Sequence, residues 1–149
     1  MNVEGHHHFA APREAVFAAI RDPRTLLAVI PGCDSVEEVA PDEYDGRIAL
    51  RLPGVVGTYR THVRLVDVVA PERAGLEGRV EGSMGTITGR ADFTLRDGPV
   101  GTDIEYRGSG LIGGPLARLD GRFVERLAET LIGQGLRALD LRLATEGPA

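Results

Sequence analysis

The chain has 149 residues, which suits one domain with a single core, and its composition is that of a globular protein. All 17 basic residues are arginine and the net charge is −5, which argues against a general nucleic-acid binder. The single cysteine, Cys33, excludes an internal disulfide, and no apolar run reaches the ~20 residues that span a bilayer, so we expect a cytoplasmic protein without an N-terminal signal peptide.

The apolar periodicity changes twice along the chain. Residues 3–9 alternate as a strand, a short helix follows from Pro12, and a second covers residues 24–29. Strands are predicted at 35–39, 43–52, 55–69, 74–81, 86–96 and 102–110, with short turn segments between them. A helical apolar stripe then runs over residues 115–143. We expect one domain at 1–145 and a short polar tail at 146–149.

This order of elements predicts an α+β fold in which a curved seven-stranded antiparallel sheet wraps around the long C-terminal helix. Short connectors between successive strands are typical of an antiparallel meander. A sheet with one apolar face must cover it. The last helix would be roughly 40 Å long at ~1.5 Å per residue, which is enough to cross the sheet.

The inner face of the predicted sheet is rich in glycine. Charged residues at alternate strand positions mark the outer face, which leaves Gly78, Gly82, Gly89, Gly108 and Gly110 inside. These glycines either let a curved sheet bend and the helix approach closely, or leave a chamber for a ligand. Because protein interiors are normally filled to close packing, we favour the chamber.

A chamber at this place would be mostly apolar, as small-molecule sites usually are. Its polar groups would be Tyr59, Thr61, Thr102 and Tyr106, although core packing explains the two tyrosines equally well. Isoprenoid, acyl or quinone ligands would gain most from burial there. The predicted ligand-binding residues are Leu50, Leu52, Val55, Tyr59, Thr61, Ile87, Gly89, Phe93, Ile104, Tyr106, Leu116, Phe123 and Leu127.

Signals for chemistry are weak. Cys33 has no evident base partner, so we interpret it as a structural thiol. His6 and His8 share one face of the first strand, and two histidines do not complete a metal site. The sequence therefore predicts no catalytic residue, no metal and no cofactor.

Three arginines recur at four-residue steps on the predicted last helix, and they would form one basic stripe. They are Arg118, Arg122 and Arg126. One interpretation is a solvated face with weak ion pairs. The other is a docking strip for anionic lipid or for an acidic partner protein.

Much of the chain also resembles a known family. The matching segments are AAPREAVFAAIRDPRTLLAVIPGCDSVEEVAPDEY, LPGVVGTYRTHVRLVDVVAPE, SMGTITGRADFTLRD and GLIGGPLARLDGRFVERLAETL. Together they resemble the CoxG family of carbon monoxide dehydrogenase subunits, within the polyketide cyclase/START-like helix-grip superfamily (SRPBCC). The resemblance implies a helix-grip fold of the START/Bet v 1 type.

The same resemblance implies a non-enzymatic accessory role beside a molybdenum hydroxylase of the carbon monoxide dehydrogenase type. Family members are associated with recruiting that enzyme to the inner membrane face and with carrying a quinone. Many relatives continue into a C-terminal tail that helps membrane attachment, whereas this sequence ends at Ala149, which favours a freely diffusing carrier. Two alternatives stay open: a polyketide cyclase/dehydratase-like enzyme acting on an aromatic substrate, and a docking module with a filled interior.

Overall fold

The structure, a computed structural model, describes residues 1–146. Its strands are β1 (Asn2–Phe9), β2 (Cys33–Ala40), β3 (Glu43–Leu50), β4 (Gly57–Val69), β5 (Arg73–Gly82), β6 (Gly85–Asp97) and β7 (Thr102–Gly113). Its helices are α1 (Arg13–Ile20), α2 (Pro23–Val29), the 3-10 helix Gly114–Arg118 and α3 (Gly121–Glu146). Of the polar tail predicted at 146–149, residues 147–149 lie outside the described part.

The seven strands form one antiparallel sheet in the order β1-β7-β6-β5-β4-β3-β2. Strands β2 to β7 are therefore a continuous meander, and β1 closes the sheet beside β7. The predicted fold class is confirmed: the sheet carries two short helices after its first strand and one long helix at the C-terminus.

Local sequence signals explain where the short helices begin. Pro12 has extended backbone and directly precedes α1, and the first turn of α1 holds Glu14, whose charge suits the positive end of a helix. Asp22 caps α2, because its Oδ1 accepts a hydrogen bond from the Arg24 N–H at 3.0 Å.

The prediction that the last helix starts at residue 115 was wrong. Residues Gly114–Arg118 form a 3-10 helix, and Leu119 then has extended backbone, with φ −76° and ψ 157°. The α-helix starts afresh at Gly121, because the Asp120 carboxylate accepts the Arg122 N–H at 2.9 Å and acts as a cap. Arg118 therefore lies outside α3, and the predicted stripe of three arginines is reduced to Arg122 and Arg126 on that helix.

Several strand ends also differ from the prediction. Residues 51–56 connect β3 to β4, so Leu52 and Val55 are not strand residues; the Val55 N–H bonds the Leu52 carbonyl at 3.0 Å. β7 continues to Gly113, three residues beyond the predicted end of that strand. The apolar pattern could not show where pairing stops, since Val55 is buried either way.

The buried side chains form two separate hydrophobic clusters. The larger cluster joins α1, α2 and β1 to one end of the sheet, and includes Phe9, Val16, Phe17, Phe93 and Leu95. The smaller cluster lies at the other end, where Val55, Tyr59 and Leu116 are in contact. The backbone of α3 comes close to β1, α1 and α2 and stands further from the middle strands. Space is therefore left between the two clusters.

Candidate ligand-binding site

An apolar cavity of about 390 Å³ lies beneath α3, between the two hydrophobic clusters. The wall is supplied by α1, α2, β3 to β6, the 3-10 helix and one face of α3. The lining residues are Ile20, Leu26, Val29, Ile30, Pro31, Ile48, Leu50, Tyr59, Val80, Ile87, Leu116, Val124, Leu127, Ala128, Leu131, Ile132, Gly135, Leu136 and Leu139. Cavities of this size and chemistry are typical of small-molecule sites.

Small residues on α3 keep the cavity open. Ala128 and Gly135 face it, among larger aliphatic residues of the same helix. A Cβ added at Gly135 would meet only the Val29 carbonyl oxygen at 3.7 Å and Pro31 Cδ at 3.9 Å, which is ordinary contact. The side chain missing at Gly135 therefore adds to the free space and is not forced by close approach of the backbone.

Tyr59 supplies the one hydroxyl group of the described lining. Its side chain is buried, and the hydroxyl donates a hydrogen bond to the Val55 carbonyl oxygen at 2.8 Å. Burial raises the pKa of Tyr59, so the phenol stays protonated at neutral pH. No Asp, Glu, His, Lys, Arg, Ser or Cys belongs to the described residues of the lining.

The structure brings only some of the predicted ligand-binding residues to this cavity. Those that line it are Leu50, Tyr59, Ile87, Leu116 and Leu127. Those that do not line it are Leu52, Val55, Thr61, Gly89, Phe93, Ile104, Tyr106 and Phe123. Ligand binding by the first group stays a prediction.

The misplaced residues have identifiable positions elsewhere. Phe93 and Ile104 are buried in the larger cluster, and Tyr106 packs against that cluster. Leu52 and Phe123 are each 37% exposed, because Leu52 lies in the β3–β4 connection and Phe123 in the first turn of α3. Strand alternation assigned the correct face of the sheet, but it could not place a residue along the strand relative to the helix above.

Close backbone contacts, and not a chamber, explain most of the inner-face glycines. A Cβ at Gly89 would overlap the Ser109 carbonyl oxygen, and one at Gly82 would lie 2.7 Å from the Thr58 carbonyl oxygen. Gly108 and Gly110 are also tight, with nearest atoms at 3.0 and 3.1 Å, whereas Gly78 has ordinary contacts. Our argument from glycine to a chamber was therefore wrong at these positions, although a cavity exists nearby.

The lining residues that the sequence argument missed come mainly from α2 and its C-terminal end. They are Leu26, Val29, Ile30 and Pro31, together with Ile48 and Val80 of the sheet. The run TLLAVIPG reads locally as a short helix and its stop. Its apolar residues on all sides were the available signal, because a short helix that is apolar all round has to be buried on more than one side.

The α3 carboxylates close the free edge of β1. Glu125 Oε2 accepts the Asn2 N–H at 2.6 Å, and Glu129 Oε2 accepts the Glu4 N–H at 3.0 Å. Further along, Asp140 Oδ1 accepts the Ala10 N–H at 3.2 Å. These bonds hold α3 along one margin of the sheet, so the cavity lies to the other side of the helix, towards α2.

The predicted docking arginines lie outside the cavity. Arg122 and Arg126 line a surface groove with Arg90 and Arg107, beside the start of β1. Within residues 1–146 no ion pair joins Arg118, Arg122 or Arg126 to an acidic side chain. The histidines are used locally, since His8 pairs with Asp103 at 2.8 Å.

Two other sequence candidates show no arrangement for chemistry. Burial raises the pKa of Cys33, and its Sγ donates to the Ser35 carbonyl at 3.4 Å. This protonated thiol differs from the thiolate that a nucleophile requires. Over residues 1–146, no group of three or more His, Cys, Asp or Glu side chains is arranged to hold a metal ion.

The model of the carbon monoxide dehydrogenase CoxG family matches residues 5–144. The chain belongs to the CoxG family. None of the curated proteins matches the sequence significantly. In residues 1–146, no helix of this CoxG-family chain has the length and apolar character needed to cross a membrane.

Solved structures share the fold of this CoxG-family chain. A conserved protein from Geobacillus kaustophilus is 24% identical with a TM-score of 0.93, covering 97% of this chain and 96% of that one. A START superfamily protein from Mycobacterium smegmatis is 14% identical with a TM-score of 0.76, covering 98% and 99%. A protein from Chromobacterium violaceum is 20% identical with a TM-score of 0.70, covering 94% and 95%. The START-like helix-grip fold is therefore shown.

Proposed function

We propose that this CoxG-family chain binds a hydrophobic small molecule, such as a quinone or a lipid, in the cavity beneath α3. It acts as a non-enzymatic accessory protein and serves a molybdenum hydroxylase of the carbon monoxide dehydrogenase type. In this proposal it works in the cytoplasm, in peripheral contact with the inner membrane face.

The observation that carries the proposal is the unfilled apolar space of about 390 Å³ between the two hydrophobic clusters. Native interiors are packed to the density of organic crystals, so a void of this size needs a reason. A ligand chain that fills it gains about 0.8 kcal/mol for each buried methylene. Binding explains the space better than a docking module with a solid interior does.

The lining also favours binding over catalysis. General acid–base catalysis needs an ionisable group with a suitable pKa within reach of the substrate. Tyr59 is the titratable residue of the described lining, its pKa is raised by burial, and its hydroxyl already bonds Val55. The cyclase/dehydratase alternative would have to find its base outside the lining.

Membership of the CoxG family supports the choice of partner. The family description names a subunit of carbon monoxide dehydrogenase, and that enzyme class is the proposed client of this chain. A hydrophobic ligand that moves between an enzyme and a bilayer needs shelter from water on the way. The cavity would supply that shelter.

The test measures hydrophobic ligand on purified protein. Native mass spectrometry and solvent extraction should detect a co-purified hydrophobe, and phylloquinone should bind saturably at one site. Gly135→Leu places a large side chain in the cavity and should abolish binding, because only ordinary contacts surround that position. Gly133→Leu is the matched control, since it changes the same helix next to Arg137 and outside the lining. No uptake of any quinone or lipid by the unmodified protein contradicts the proposal.

A second role, docking through arginine, rests on the groove that Arg122 and Arg126 line. Changing Arg118, Arg122 and Arg126 together to glutamine should release the protein from vesicles that contain phosphatidylglycerol. The same charge change at Arg60, Arg64 and Arg79, which pair with glutamates on the outer sheet face, serves as the control. Equal vesicle binding by both triple variants would reject docking while leaving ligand content untouched.

A further inference from the structure

The polar groups of the cavity are fewer than an amphiphilic ligand would require. The hydroxyl of Tyr59 donates to Val55, and no other side-chain donor belongs to the described lining. A carbonyl or phosphate oxygen that entered this space would lose its water and gain no donor. Burial of a polar group without a hydrogen bond is unfavourable, and burial of a charge is far more so.

The size of the cavity sets a second limit. A methylene group takes up nearly as much room as a water molecule, whose share of liquid volume is ~30 Å³. The cavity of about 390 Å³ therefore holds roughly a dozen carbon atoms. A polyprenyl chain would fill it with its last two or three isoprene units.

We propose that the cavity takes only the uncharged hydrocarbon chain of an amphiphilic ligand, about a dozen carbons of it, and leaves the polar head outside in contact with water. The inference rests on the proposed function and specifies which part of the ligand is recognised. It selects isoprenoid and alkyl chains as a class, independent of the head they carry. Quinone, alcohol and lipid heads then become interchangeable at this site.

Equilibrium dialysis with radiolabelled ligands separates chain from head. Farnesol has the chain without a quinone, and menadione has the naphthoquinone without a chain. Farnesol should bind at least tenfold more tightly than menadione, because the menadione carbonyls find no donor in the lining. Menadione binding as tightly as farnesol would overturn the inference and leave the proposed function standing. If neither ligand binds, the proposed function fails and the inference falls with it.

A series of 1-alkanols tests the length limit in the same assay. Affinity should rise about fourfold for each added carbon from octanol to dodecanol, which is the expected gain per buried methylene. It should then level off between dodecanol and hexadecanol, because further carbons stay outside. A constant gain through hexadecanol, or no dependence on length, would contradict the inference.

Variants place the chain inside the cavity. Gly135→Leu should abolish farnesol binding, and Gly133→Leu should keep it. Ala128→Leu narrows the lining at a second position and should shorten the preferred alkanol by two to four carbons, which keeps the test informative if Gly135→Leu folds poorly. Unchanged length preference in a folded Ala128→Leu protein would show that the chain lies elsewhere.

Discussion

The hydroxyl of Tyr59 donates a hydrogen bond to the carbonyl oxygen of Val55 at 2.8 Å, and both residues are buried at the end of the cavity. This bond ties the β3–β4 connection to the β4 strand, so one side chain both lines the cavity and anchors the loop beside it. The phenol is thereby committed to the protein and is not offered as a donor to a ligand.

Removal of this bond should lower stability. Tyr59→Phe leaves the Val55 carbonyl buried without a partner, which costs about 1–3 kcal/mol in the free energy of unfolding. Urea denaturation measures the loss. Tyr106→Phe is the control, because no hydrogen bond from its hydroxyl is found within the described residues, and it should cost less than ~1 kcal/mol. Equal losses in both variants would contradict the anchoring role.

Tyr44 should make stability fall at high pH. Burial, followed by the charges of Glu38 and Asp42, raises its pKa from 10 to about 12. The folded protein therefore holds this proton more tightly than the unfolded chain, and the stabilisation is complete below pH 10. It is lost as the pH rises from 10 to about 12, because ionisation then favours the unfolded state.

Urea unfolding at pH 8, 10 and 11 checks the role of Tyr44. In Tyr44→Phe the decline above pH 10 should be smaller than in the unmodified protein. The variant should also be less stable at pH 8, since it lacks the hydrogen bond from the hydroxyl to the Arg21 carbonyl at 2.9 Å. A parallel decline in both proteins would exclude Tyr44 as its source.

The two glycines of α3 offer a paired test of helix propensity against cavity filling. Alanine in place of either Gly133 or Gly135 should raise the free energy of unfolding by up to ~1 kcal/mol, because glycine is a poor helix former. Leucine should give a further gain at Gly135, where it buries apolar surface in the cavity, and none at Gly133. Thermal denaturation without ligand measures all four variants. A larger leucine gain at Gly133 would place the cavity incorrectly.

The contact between α3 and β1 should be visible in hydrogen exchange. Glu129→Leu removes the acceptor of the Glu4 N–H, so exchange at this amide should accelerate at least tenfold. Gln134→Ala, a change elsewhere on the same helix, should leave it unchanged. Unaltered protection of Glu4 in the first variant would mean that another group closes this edge of the sheet.

The sequence was sufficient to predict the architecture but not the position of the cavity. Alternation places Tyr59 and Leu65 inside and Arg60 and Arg64 outside, and that assignment needs only the strand period. The cavity depends on how α3 lies over the sheet. Its tilt towards β1 is set by contacts of Glu125, Glu129 and Asp140 with backbone N–H groups more than 100 residues away. No local pattern carries that information.

The same limit explains why α2 was overlooked. Val29 and Ile30 follow a short helix, and only the return of α3 places Gly135 opposite them. The glycines of the inner face misled in the opposite direction. An interior glycine can mark either missing volume or close backbone approach, and coordinates are needed to tell Gly135 from Gly89.

The most direct test of ligand binding in the cavity is a crystal structure of the protein with 12-bromododecanol. We predict an anomalous bromine peak beneath α3, among Ile48, Val80 and Ile132, with the hydroxyl end at the opening and no such peak in crystals of Gly135→Leu. A bromine site on the outer surface of the protein, with the space beneath α3 closed by side chains, would contradict the account.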